Sequence, residues 1–232
     1  MGDDTRLSPY FNCAMKKKII LLFLFFSCMM MYSQEYQLIW QNCFGGSKFD
    51  GAYDIVSLPN GYLIAGGTGS NDGDVSVSYG NGDSWLIRVD STGNLLWEKT
   101  YGGSDSEGFC RIIPTTDNNF YLLGISWSSD GDISFDPYPG SPDYWIVKID
   151  SSGNILWDKI VGGTQGESLS TGDATLDGGV VVIGHTYSSD GDVSVRYGWA
   201  DTWAVKLSSE GELEWDYTIG TDWIDKGQAI LA

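Results

Sequence analysis

The chain has 232 residues, among them 31 glycines and 10 tryptophans, and a formal net charge of −18. So acidic a balance excludes binding to DNA or RNA by phosphate neutralisation and gives no attraction to anionic membranes, while it favours solubility and metal cations. With 42% hydrophobic and 14% aromatic residues there is material for a sizeable core, and the glycines announce many turns.

Met15 opens a segment with the form of a secretory signal. Lys16, Lys17 and Lys18 make a positive start, Ile19 to Phe26 is an unbroken apolar run, and Tyr32-Ser33-Gln34 is a polar exit. The run is short for a permanent span. Residues 15–33 are read as a signal peptide cleaved after Ser33, which sends the mature chain to the outer cell surface or the medium. Residues 1–14 carry Asp3 and Asp4 ahead of the basic stretch and are read as a non-native upstream extension. Cys28 follows Phe25-Phe26-Ser27, a poor lipoprotein box, so lipidation is the less favoured reading. Processing leaves Cys43 and Cys110, which fall at different strand positions and are expected as two buried free thiols.

The rest, 34–232, is a repeat region. Trp40, Trp97, Trp157 and Trp215 recur at spacings of 57, 60 and 58 residues. Within the first unit, Asp50–Leu58 reads as a strand, Pro59-Asn60-Gly61 as a tight turn and Tyr62–Gly67 as a second strand. A polar loop follows over Ser70–Asp83, then a strand Trp85–Asp90, a hairpin turn Ser91-Thr92-Gly93-Asn94 and a strand Leu95–Thr100. The second unit repeats this with Phe109–Pro114, Phe120–Ser126, Trp145–Asp150 and Ile155–Ile160, and the third with Val180–Thr186, Trp203–Ser208 and Leu213–Ile219.

Four short up-and-down strands per unit of this length fit a propeller blade. The predicted class is all-β, with β-propeller-type repeats of four-stranded antiparallel sheets. Three complete blades are expected near 45–100, 102–160 and 162–219, with an orphan outer strand at Tyr36–Phe44 and a partial blade over 220–232. Closed propellers hold about four to eight blades, and an open arc exposes sheet edges. The chain is therefore expected to be a piece of a longer protein.

The hairpins read Asp90-Ser-Thr-Gly93-Asn-Leu-Leu-Trp97 and Asp150-Ser-Ser-Gly153-Asn-Ile-Leu-Trp157, with a degenerate copy Ser208-Ser-Glu-Gly211-Glu-Leu-Glu-Trp215. This pattern resembles the tryptophan motif that locks blades in quinoprotein-like propellers. With Gly-Gly-Ser or Gly-Gly-Thr after the first two hairpins, and Ser-x-Asp-Gly-Asp in the long loops, the repeat is similar to secreted bacterial propeller-repeat proteins, many of which carry a type IX secretion sorting tail. The resemblance implies that each indole packs across the next blade. Trp85/Ile87/Val89 should face one neighbour and Leu86/Arg88/Asp90 the other side or the rim.

Three sets of residues are candidates for chemistry. Asp50, Glu107, Glu167 and Asp225 lie ten residues after their tryptophans. They would line a channel as a cation site or glycosidase pair, or else tie the blades through backbone N–H groups, which is the favoured reading because every unit has one. The loop pairs Asp72/Asp74, Asp130/Asp132 and Asp190/Asp192 flank a glycine. They are candidate calcium ligands or turn-stabilising groups. Their spacing is neither that of an EF-hand nor that of a sialidase Asp-box. The aromatics Trp127 and Tyr187 before the loops, and Tyr79, Tyr138 and Trp199 inside them, differ between copies and suit stacking on sugar rings or a protein partner. His185 is read as an ordinary strand residue, and no Walker, zinc or esterase motif occurs.

The reading is a secreted or cell-surface, non-catalytic module binding a glycan or a protein. It needs no cofactor, with calcium as the one candidate ion, and has no nucleic-acid partner and no membrane span in the mature chain. The alternative is a fragment of a glycan-active hydrolase or quinoprotein-like enzyme.

Overall fold

The computed structural model describes residues 37–232. The expected signal peptide, the upstream extension and Cys28 lie outside them. Twelve strands follow in chain order: β1 (Asp50–Leu58), β2 (Gly61–Thr68), β3 (Asp83–Val89), β4 (Leu95–Tyr101), β5 (Glu107–Pro114), β6 (Phe120–Ser126), β7 (Asp143–Ile149), β8 (Ile155–Val161), β9 (Glu167–Ala174), β10 (Val180–Thr186), β11 (Asp201–Leu207) and β12 (Leu213–Ile219). They form three sheets, β1-β2-β3-β4, β5-β6-β7-β8 and β9-β10-β11-β12, each an antiparallel meander. Among the described residues no helix is long and apolar enough to cross a membrane.

The turns explain the hairpins. Asp90 Oδ1 accepts the N–H groups of Thr92 (2.8 Å) and Asn94 (3.0 Å), and Gly93 supplies the left-handed φ of +82° that closes the turn. Asp150 repeats this on Ser152 and Asn154 at 2.8 and 2.9 Å. In the degenerate copy the Ser208 hydroxyl takes over, accepting from Glu210 and Glu212 at 3.2 Å each, so the turn survives the loss of its aspartate.

Alternation along the third strands sorts side chains between layers, as expected. Trp85, Ile87 and Val89 pack with Trp40 and Phe44 on one face of the first sheet, while Leu86 joins the core shared with the second. Trp145, Val147 and Ile149 face the first sheet, and Tyr144 and Ile146 face the third, where Trp203, Val205 and Leu207 meet them. Tyr101 of the first sheet meets Phe109 of the second (centroids 5.9 Å apart), which is itself stacked on Trp145, and Tyr144 meets Trp203 (5.0 Å) across the other joint. The first strands β1, β5 and β9 lie against one another in succession whereas the last strands do not, so the sheets fan out from the first-strand side as propeller blades do. Each first strand carries a one-residue bulge, at Tyr53, Cys110 and Ser170, which adds local twist.

The repeating indoles lie across the joints. Trp40 covers Gly93, Trp97 covers Gly153 and Trp157 covers Gly211, where Trp157 Nε1 also donates to Ser209 O at 3.0 Å. Trp215 is 45% exposed. The flanking segments carry no regular ladder. The expected outer strand at Tyr36–Phe44 is not a strand over its described residues, although Trp40 keeps its place on Gly93. A fourth strand is held by a third, and among the described residues none stands beside it. Residues 225–232 are likewise irregular, fixed by Asp225 N to Ala200 O (2.8 Å) and Gly227 N to Gly184 O (3.3 Å).

Candidate functional site

The Gly-Gly crossover that enters each sheet exposes four successive backbone N–H groups, and four side chains meet them in order. In the first copy Gly45 N donates to Asp74 (3.0 Å), Gly46 N to Asp50 (2.8 Å), Ser47 N to Asp72 (2.7 Å) and Lys48 N to Ser70 Oγ (3.0 Å). In the second, Gly102, Gly103, Ser104 and Asp105 donate to Asp132, Glu107, Asp130 and Ser128 at 3.2, 2.9, 2.7 and 2.8 Å. In the third, Gly162, Gly163, Thr164 and Gln165 donate to Asp192, Glu167, Asp190 and Ser188 at 3.2, 3.2, 2.9 and 3.0 Å. Two motifs that read as separate in the sequence are thus the two halves of one cap.

The first-strand acids complete it by accepting hydroxyl donors: Asp50 from Thr68 and Ser70 at 2.5 and 2.9 Å, Glu107 from Ser126 at 3.0 Å, and Glu167 from Thr186 at 2.6 Å. Asp225 accepts the N–H and the hydroxyl of Thr221 at 2.8 and 3.0 Å. Burial raises the carboxyl pKa of Asp132 and of Asp192 even though each accepts a glycine N–H. The side-chain bond from Thr164 holds Asp190 below the usual carboxylate range. Among the described residues no three His, Cys, Asp or Glu side chains gather as a metal cluster. These carboxylates are engaged on backbone amides and hydroxyls.

Two further repeating acids were not anticipated. Glu98, Asp158 and Asp216, each directly after a joint tryptophan, accept the indole N–H of Trp85 (2.8 Å), Trp145 (3.2 Å) and Trp203 (3.1 Å). They also accept the N–H of Ser76, Ser134 and Ser194. Asp83, Asp143 and Asp201 open the third strands and are fully buried. Both sets recur at the repeat spacing, which is the signal that would have found them.

The candidate aromatics are not brought to one place. Trp127 lines a groove beside the first strands with Glu107, Cys110 and Leu169, and Tyr187 sits edge-on to His185 with centroids 5.5 Å apart. His185 is buried with Nδ1 lacking a partner, and burial lowers its pKa. Tyr79 and Tyr197 hold equivalent places, since both donate their N–H to the aspartate four residues on, and Trp199 stands two residues beyond, 72% exposed. Both thiols are free, but Cys43 is exposed rather than buried because its segment has no ladder. Cys110 is half-buried at the β5 bulge, and burial raises its pKa to about 11.

Tyr138 lines a different cleft, of about 390 Å³, at the joint between the second and third sheets. Its walls are Phe135 and Tyr138 from the lengthened loop, Asp158 and Lys159 from β8, and Glu210 and Glu212 from the next hairpin. Phe135 is 71% exposed. At the preceding joint Lys99 Nζ bonds Asn154 Oδ1 (2.9 Å) across the same place. Glu212 stands where Asn154 stood, the loop is longer, and the space stays open.

Fold and site define an all-β protein of three four-stranded antiparallel sheets, arranged as propeller-like blades with a capped crossover in each. No family model and no curated protein matches the chain. Among solved structures, a protein of unknown function from Bacteroides caccae is similar at 13% identity, over 75% of this chain and 71% of that one, with a TM-score of 0.27. The fold assignment rests on the ladders.

Proposed function

We propose that the chain is a non-catalytic binding module of the outer cell surface or medium, taking a neutral or amino-sugar glycan in the cleft at the second joint. The observation that carries this is the loss of repeat symmetry there. The inserted residues place Phe135 and Tyr138 over a gap edged by Asp158, Glu210 and Glu212. Aromatic faces stack on the C–H faces of sugar rings, and carboxylates accept their hydroxyls. The negative charge disfavours anionic polymers. The apparent export signal supports an extracellular ligand. A hydrolase is less supported, because Asp50, Glu107 and Glu167 are occupied by cap donors.

The test is retention of the chain on immobilised neutral, amino and acidic polysaccharides. Binding to a neutral or amino sugar, weakened at least about tenfold by Phe135→Ala with Tyr138→Ala, a loss of about 1.4 kcal/mol or more, is expected. Unchanged binding in the double variant, or retention only on acidic polymers, rejects the assignment.

A further inference from the structure

Asp83, Asp143 and Asp201 hold the same place in the three sheets but not the same bonds. Asp83 Oδ2 accepts Tyr79 N at 3.0 Å, and Asp201 Oδ2 accepts Tyr197 N and Gly198 N at 2.5 and 3.2 Å. Four residues before Asp143 stands Pro139, which has no N–H to give. Both oxygens of Asp143 lack a donor, and the residue is 1% exposed. Across the joint, both oxygens of Glu167 are already taken, by Gly163 N and by the Thr186 hydroxyl. The two carboxyl groups come within hydrogen-bonding reach of each other beside Gly162, where a Cβ would strike Asp143 and sit 2.7 Å from Glu167 Oε2.

A buried carboxylate with no donor, set against a second carboxylate, is costly, and one proton removes most of that cost. Glu167 has well-formed donors, whereas Asp143 has only a weak influence from Gly163 N–H, which bonds Glu167 instead, so the hydrogen belongs on Asp143. We propose that Asp143 and Glu167 share a single proton, carried by Asp143 and donated to Glu167, which makes the joint between the second and third sheets a pH-sensitive latch.

The other groups around it do not neutralise the pair. Asp136 and Tyr138 face Asp143 from the loop before it, and Asp192 of the β10–β11 loop sits on Gly162 N. His185 of β10 interacts with Glu167 and is held towards its neutral form by burial, while Lys159 of β8 acts on Asp192. Burial first, then the bond to Glu167 and its charge, raise the Asp143 pKa far above the usual carboxylate range. The sign follows from linkage. A raised folded-state pKa gives stability that is complete below the ordinary aspartate range and is lost as pH rises toward the folded value. On deprotonation the proton passes to water and leaves two adjacent carboxylates.

Unfolding of the full chain by urea is compared for the native protein and Asp143→Asn between about pH 7 and 8.5, above the usual histidine range and below the usual thiol range. The amide keeps the shape and the donor to Glu167 without the charge. The native midpoint is expected to fall across this interval, and that of Asp143→Asn to stay level and lie higher at the upper end. Asp83→Leu and Asp201→Leu, which lose the acceptor for a backbone N–H, are expected to lower the midpoint throughout. Independently of stability, the infrared C=O band of a protonated carboxylic acid should be present at neutral pH and missing from Asp143→Asn. A level native profile, a missing band, or a calcium-induced rise of the native midpoint that Asp143→Asn abolishes would each overturn the shared proton, the last in favour of a cation.

Discussion

At Gly211 the backbone and a neighbour's side chain make separate demands. Its φ is +84°, and a Cβ there would lie 2.9 Å from the Trp157 ring. Gly178 has nearly the same φ, +85°, but its Cβ would meet only Ser209 Cβ at 3.6 Å, an ordinary contact. The pair separates conformational strain from indole packing. Gly178→Ala should cost about 1–2 kcal/mol, the price of a left-handed non-glycine residue. Gly211→Ala should cost that plus a further ~1–3 kcal/mol for displacing the indole, read as the difference in urea unfolding free energies. Equal costs would mean that Trp157 does not bear on the turn, and that the repeating tryptophan serves only its own sheet.

The cap is the element-scale counterpart of that contact. Four N–H groups in a row form a concave donor site, and each repeat fills it from two places in its own sequence. Replacing Asp190 by Ala removes acceptors from Thr164 N and the Thr164 hydroxyl, and should lower the urea unfolding midpoint as both donors turn to water instead. Asp190→Asn keeps one acceptor and should lower it about half as much. Hydrogen exchange at Thr164 and Gln165 would show whether the loss is local. The strands were legible in the sequence because alternation and turn residues are local signals. That Trp97 packs across the next sheet was legible from the resemblance, but that it lands on Gly153 was not. The joining of Gly102–Asp105 to Ser128–Asp132 was not, since nothing in either stretch names a partner about 26 residues away. Asp143 was missed for another reason: ahead of Trp145 it reads as the polar end of a loop, and its burial is set by the neighbouring sheet.

Across the whole molecule these acids act in opposite directions on pH. Asp117, held at about 2 by bonds from Thr115 and Lys148 against some burial, has a depressed folded-state pKa, as Asp150 and Asp190 do in direction. Such groups stabilise the fold above the ordinary aspartate range and stop doing so as pH falls through it toward their folded values. His185, held towards neutral by burial, adds a loss as pH falls below the usual histidine value of 6.5. Asp143 runs the other way. Stability should therefore fall with acid below the ordinary aspartate range through the turn aspartates, and decline above that range through Asp143, a decline that His185 offsets below about pH 6.5. Replacing His185 by Gln should remove the offset only between about pH 5 and 6.5, while Asp143→Asn should remove the decline from the ordinary aspartate range upward, because the two residues act on different protons. Thermal midpoints of both single variants and the double variant, taken across that range, check this. If the double variant does not show the sum of the two separate changes, Glu167, whose charge acts on both, couples them into one titration.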